Sequence, residues 1–336
     1  MPEDKINRGI KKILENIDNY KQTLEAIICF SHVIRWDDEN MDFKSNTYSF
    51  IARRMDTSKV NRINPENTII PDLVLQLNEE YGILSEAKIS FPRNREHWKD
   101  DFEQLQKYDD DLKGWKTENE LIDNFDIILL THYRMKVHVS DYLSQKKELI
   151  FNKNFAVIAF HRDYGVNYAL ALEKGYGNLT DVNLDEKFRT IVFVPLNKVI
   201  PRYPIKFYDV KPNVAYTMEI LWTRIFNQYP QMEEFMESKG IKIIEIRVNI
   251  DDLTERLRTQ FSDYHANDER QFVAPKRSWV IDAMEMFVKL NYAINNEEQG
   301  NYIIKYKNLV NHLKRFIEEI YELKRTPTLL DFIEKN

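Results

Sequence analysis

An α/β protein with a mixed sheet is what this chain predicts, and three observations carry that expectation. Apolar residues recur at helical spacing over residues 5–36 and again over 95–113. Between and after these runs lie short apolar stretches of strand length, at Ile69–Leu77, Ile83–Ser90, Asp126–Thr131 and Phe155–Phe160. Helix, strand, strand, helix, strand is an order that builds a mixed sheet flanked by helices. A second α/β portion follows, closing with a helix and a hairpin.

The first helix rests on Ile6, Ile10, Ile13, Leu14, Ile17, Leu24, Ile27 and Ile28, and Asp37-Asp38-Glu39-Asn40 ends it. A short helix is expected at Tyr48–Met55, with Asn46 or Thr47 as its cap. The polar stretch 57–67 carries Pro65 and reads as loop. Asn78-Glu79-Glu80-Tyr81-Gly82 is a turn, so the strands on either side form a hairpin. The helix over 95–113 buries a stripe of Trp98, Phe102, Leu105, Tyr108 and Leu112. Thr190–Pro195 is strand-like, and Pro201, Pro204 and Pro212 mark a domain boundary near 205–213. Beyond it the pattern predicts helices at Ala215–Tyr229 and Gln231–Lys239, a strand at Ile241–Ile250, and helices at Leu253–Gln260 and Ser278–Leu290. Tyr292–Ile294 and Tyr302–Tyr306 flank a polar turn, a hairpin directly after a helix as in a winged helix. A last helix covers Leu309–Leu323. The expected organisation is a helical segment 1–36, a catalytic domain 37–210 and a winged-helix-like domain 211–336.

Composition narrows the function. At 336 residues, with 43% hydrophobic and 30% charged side chains, the chain has enough apolar surface for packed domains. No apolar run approaches the ~18 residues that a membrane span needs, and the first twenty residues lack a signal-peptide core, so a soluble cytoplasmic protein is expected. One cysteine, Cys29, excludes an internal disulfide and a multi-cysteine zinc site, and its apolar neighbours read as core. The net charge of −6 means that a nucleic-acid partner needs a local basic patch.

The segment that carries chemistry is Pro71-Asp72, thirteen further residues, then Glu86-Ala87-Lys88. Alternation along a strand puts Glu86 and Lys88 on one face. In an antiparallel hairpin, Asp72 at the start of one strand lies beside Glu86 near the end of the other. An ionised group on an apolar strand is costly unless it is paired or ligates something. Phosphodiester hydrolysis needs a hard cation, an activated water and compensation of developing charge. Asp72 and Glu86 are oxygen ligands suited to Mg²⁺, with the Ala87 carbonyl as a third. Lys88 orients the water, deprotonates it or stabilises the phosphorane-like charge; the sequence does not choose among these.

Pro71-Asp72…Glu86-Ala87-Lys88 resembles the motif of the PD-(D/E)xK nuclease superfamily, with its restriction-endonuclease-like fold, over roughly residues 37–165. The resemblance implies a helix, a small mixed sheet bearing the motif and another helix behind it. It implies catalytic Asp72, Glu86 and Lys88, and a Mg²⁺ ion (Mn²⁺ substituting) held by Asp72, Glu86, Ala87 and an acid from the first core helix. Glu39 is the first choice for that acid, before Asp42 and Glu25. It implies a Gln–Tyr pair on the following helix, matched by Gln104 and Tyr108 with Lys107 beside them. The expected activity is a DNA endonuclease in prokaryotic restriction or antiviral defence, acting as a homodimer. The alternative is a silent or partner-activated DNA-binding or scaffold subunit.

Further nucleic-acid contacts are expected from Arg53 and Arg54 ahead of the motif, and from Lys276, Arg277 and Lys305 on the carboxyl-terminal helix and hairpin. Asp282 and Glu285 on that helix oppose phosphate approach. His132 and His161 end strand candidates and are placed to meet a phosphate; the seven histidines match no zinc template. Asp109-Asp110-Asp111 reads as a solvated helix end.

Overall fold

The computed structural model describes residues 3–35, 48–51, 55–56, 68–69, 71–78, 80–110, 112, 114–116, 121–146, 149–163, 169–199, 211–231, 233–236, 242–261, 275–296, 300–307 and 309–325. It is mixed α/β. The chain divides into two compact units: Lys21–Asp209 with Asp263–Val273, and Met1–Tyr20 with Val210–Ser262 and Ala274–Asn336.

The main elements of the first unit, in chain order and leaving out two short two-stranded ribbons and the helical turn Leu196–Val199, are the Lys21 end of α1 (Glu3–Arg35), β1 (Tyr48–Ile51), β2 (Leu73–Gln76), β3 (Tyr81–Lys88), α2 (Trp98–Asp110), β4 (Asn124–His132), α3 (Lys136–Gln145), β5 (Phe155–Asp163), β6 (Ala169–Gly177), α4 (Val182–Lys187) and β7 (Val192–Pro195). The seven strands form one sheet in which spatial order follows chain order. β1, β2 and β3 pair antiparallel; β3, β4 and β5 are parallel; β5, β6 and β7 are antiparallel.

The parallel trio dictates the layers. A parallel pair needs a crossover, and α2 and α3 supply the two crossovers. Both helices pack on the same sheet face, where Trp98, Phe102, Leu105 and Tyr108 of α2 and Val139 and Tyr142 of α3 meet Leu84, Leu129 and Val157. On the other side α1 is anchored by Glu25, whose carboxylate takes both Nε and Nη2 of Arg162 on β5 at 2.5 and 2.9 Å. β4 is buried from Phe125 to Thr131, as a central parallel strand should be.

The second unit adds α5 (Val214–Ile220), continued by a π turn and a 3₁₀ turn to Gln228, then β8 (Glu233–Met236), β9 (Lys242–Asn249), α6 (Ile250–Phe261), α7 (Arg277–Lys289), β10 (Ala293–Asn295), β11 (Asn301–Lys307) and α8 (His312–Arg325). Its antiparallel sheet has the order β8-β9-β11-β10. Trp222 is fully buried, stacks on Tyr306 at 4.9 Å and meets the edges of Phe226, Tyr292 and Phe316.

Several local expectations are corrected. Tyr48–Ile51 is a strand, not part of a helix, because Tyr-Ser-Phe-Ile suits a sheet and pairs with β2, whereas a single short helix has little intrinsic stability. Glu233–Met236 is likewise a strand: pairing with β9 overrides the helical leaning of Glu and Met. α3, β6 and α4 are elements that the periodicity did not announce. Asp109 is not solvated. It is buried, and its carboxylate accepts the amides of Asn152 at 2.5 Å and Lys153 at 2.8 Å, which ties the loop before β5 to α2.

β6 ends at Gly177 with φ +73°, and a Cβ there would stand 1.9 Å from the Phe155 carbonyl oxygen. Gly177→Ala is therefore expected to lower stability by about 1–3 kcal/mol, read as a fall in melting temperature. An unchanged melting temperature would contradict this.

Candidate functional site

The hairpin β2–β3 explains why Pro-Asp stands where it does. The ladder runs from Gln76↔Gly82 to Leu73↔Ser85 and stops. Pro71 has no amide hydrogen to extend it. The next inward-facing amide, that of Ala87, instead donates to Oδ2 of Asp72 at 2.9 Å. The Asp72 carboxylate thus accepts a backbone amide just past the end of the ladder, which fixes it beside Glu86.

Glu86 is buried at 8% exposure on the face covered by α2. Its Oε1 accepts from Gln104 Nε2 at 3.0 Å and its Oε2 from the Tyr108 hydroxyl at 2.7 Å. Gln104 and Tyr108 are one turn apart and 3.3 Å from each other. Lys88 points to the same side and donates to Asp101 Oδ1 at 2.6 Å. Asp101, Gln104 and Tyr108 recur at i, i+3 and i+7 on α2, so one helix face holds two motif side chains.

Electrostatics follow from burial. The Glu86 carboxyl is pushed up to about 8, first by burial and then by the neighbouring Asp72 charge, against the pull of Tyr108, Lys88 and Gln104. Asp72 is pushed up to about 6 by burial, offset by the Ala87 amide and Lys88. Burial followed by the Glu86 charge also raises the Tyr108 phenol. Two carboxyls that resist ionising together are a site short of positive charge. Asp72 Oδ1 accepts no hydrogen bond among the described residues, and the Glu86 oxygens accept one each. With the Ala87 carbonyl, this hard-oxygen donor set suits Mg²⁺, which keeps several waters when held by one or two carboxylates. Among the described residues, no group of three or more Asp, Glu, His or Cys forms a larger cluster.

The structure thus brings Asp72, Glu86, Lys88, Gln104 and Tyr108 together. Glu39, Arg53 and Arg54 lie outside the described residues. Glu25 is taken up by Arg162. Lys107 is exposed and makes no hydrogen bond or ion pair among the described residues. In the second unit Arg277 donates to Asp251 at 2.6 Å, Lys276 lies 5.6 Å from the Trp279 ring, and Lys305 stands opposite Glu245 in the sheet. His132 and His161 sit at the ends of β4 and β5, on opposite sheet faces. The His132 ring is held below the usual imidazole range by burial and by the charges of Arg134 and His161. Cys29 is buried, and burial raises its thiol. Sequence reasoning missed Asp101; its helical spacing from Gln104 and Tyr108 was the available signal.

The chain matches no family model, no curated protein and no solved structure.

An acid raised on folding opposes folding as pH climbs from its unfolded range, here 4.5, to about 8. Glu86→Gln removes that penalty. In metal-free buffer the variant is expected to melt roughly 2–6 °C above wild type at alkaline pH and within about 1 °C of it at acid pH. A variant that is less stable at alkaline pH would contradict the assignment.

Proposed function

We propose that this protein is a Mg²⁺-dependent DNA endonuclease built on a restriction-endonuclease-like core, serving restriction or genome defence in a prokaryotic cytoplasm. One observation carries the reading: Asp72, Glu86 and Lys88 converge at one end of a mixed sheet, each held by a dedicated partner. Asp72, Glu86 and the Ala87 carbonyl would hold Mg²⁺, or Mn²⁺ in its place, and the ion would supply Lewis acidity toward a phosphoryl oxygen and a more acidic water. Lys88 places an ammonium beside the reacting phosphate, where it orients the water and compensates developing negative charge. Asp101 acts through Lys88: it stops the flexible four-carbon stem from wandering. Gln104 and Tyr108 aim Glu86. Cutting both strands of a duplex favours two active sites, hence a homodimer. The helix α7 with the hairpin β10–β11 is the winged-helix-like portion that serves DNA or partner contact.

A second reading is a subunit that binds DNA without cutting, or one that a partner protein switches on. It is favoured by the bare two-carboxylate donor set, since no third acid joins it among the described residues.

Incubation of plasmid with purified protein and Mg²⁺ or Mn²⁺ separates the two readings. Wild type is expected to cut, with Asp72→Ala and Lys88→Ala losing about 100-fold or more. Asp101→Asn is expected to lose roughly 5–50-fold in kcat with KM little changed, and Asp101→Glu to regain part of the loss. No cutting of DNA or RNA by wild type with either metal would overturn the nuclease reading and leave the binding one. Cutting that needs an added protein would select the switched form.

A further inference from the structure

We infer that the surface formed by the turns Arg95–His97 and Tyr133–Met135 and the start of α3 is a seat for single-stranded nucleic acid, with Tyr133 as a base-stacking platform. The inference rests on the nuclease reading for the fate of the strand, not for its binding.

β3 and β4 end within one residue of each other in register, and β5 runs on to Asp163. Lys88 is opposite Thr131, and the Thr131 hydroxyl donates to the Lys88 carbonyl at 2.8 Å. Thr131 in turn is opposite Ala159. Two residues beyond Thr131 comes Tyr133, and two beyond Ala159 comes His161. Carboxyl ends of parallel strands are where open α/β sheets bind ligands. The acids and the Tyr133 surface therefore share one sheet end, in the same unit.

The composition of that surface fits a strand of alternating bases and phosphates. Tyr133 is 48% exposed and Val137, one turn on, is 66% exposed. The Tyr133 ring lies 5.1 Å from the His161 ring and 5.6 Å from Lys136 Nζ, so it is fixed from two sides. Lys136 itself is neutralised by Glu173 at 2.7 Å. Near Tyr133 and Val137 are Arg134 and, against His138, Arg95, both exposed, with Arg93 upstream. None of the three arginines is in an ion pair among the described residues. Arg95 packs over Trp98 at 5.6 Å and reaches His138 on α3 at 3.4 Å, so its guanidinium is held at the surface and not drawn into the core. The acids on these elements are Glu96, which is bonded to Asn94, and Asp141. In a chain of net charge −6, three arginines without a carboxylate partner beside an open tyrosine form a local cationic patch. Cations that track phosphates, with an aromatic face that accepts any base, are the two parts of single-strand binding.

Fluorescence anisotropy of a labelled thymidine strand of about 20 nucleotides, in EDTA so that nothing is cut, tests this directly. Wild type is expected to bind the strand. The pair Arg95→Glu/Arg134→Glu is expected to weaken binding about tenfold or more and to flatten the salt dependence by about 1–2 in log–log slope. Tyr133→Ala is expected to weaken it about fivefold or more, with Tyr133→Phe retaining affinity because the ring remains. Lys11→Glu/Lys314→Glu, an equal charge change in the other unit, is expected to change it less than about twofold. Circular dichroism shows whether each variant is folded. No strand binding by wild type, or equal losses in the arginine and lysine pairs, would overturn the proposal. Strand binding without cleavage in Mg²⁺ would leave it standing while the nuclease reading falls.

Discussion

Everything at the candidate site depends on keeping two carboxyl groups side by side, partly out of water. Asp72 is held there by the Ala87 backbone amide, and Glu86 because an amide and a phenol on α2 reach its two oxygens. Desolvation then pushes both carboxyls toward their protonated forms, and the Asp72 charge adds to the push on Glu86. Such an arrangement is poor for stability at a pH where both carboxyls are ionised, and a bound cation would offset the cost. Asp109, Asp126 and Asp185 are also buried carboxyls, but among the described residues each, unlike Asp72, has both oxygens engaged. Asp109 accepts two amides, Asp126 accepts Tyr81 and Thr180, and Asp185 is paired with Lys174, so each is satisfied by the protein itself.

α2 is the second necessity. It crosses from β3 to the parallel strand β4, so it must lie over the face that carries Glu86 and Lys88. Trp98, Phe102 and Leu105 seat it in the core. The face so positioned then offers Asp101, Gln104 and Tyr108 at intervals that follow the helical repeat. Packing and site geometry are therefore one constraint: a shift of this helix by one residue would separate Glu86 from both its donors.

Much of this was legible in the residues. The hairpin, the helix behind it and the parallel strand after it follow from apolar periodicity and turn composition. The convergence of Asp72, Glu86 and Lys88 follows from the alternation of side chains along a strand. What was hidden depended on partners distant in sequence. Tyr48–Ile51 becomes a strand only because β2 offers an edge, and Glu233–Met236 only because β9 does. Arg162 claims Glu25 across 137 positions, which no local pattern announces. Lys88 and Asp101 are thirteen apart and meet only when the crossover closes.

The most direct test of a cation-hungry acid pair is the titration of metal-free protein with Mn²⁺ by calorimetry, in buffers of different ionisation enthalpy. The account predicts saturable binding that releases protons near neutral pH and is lost in Asp72→Ala. Binding without proton release, or binding that survives that substitution, would contradict it.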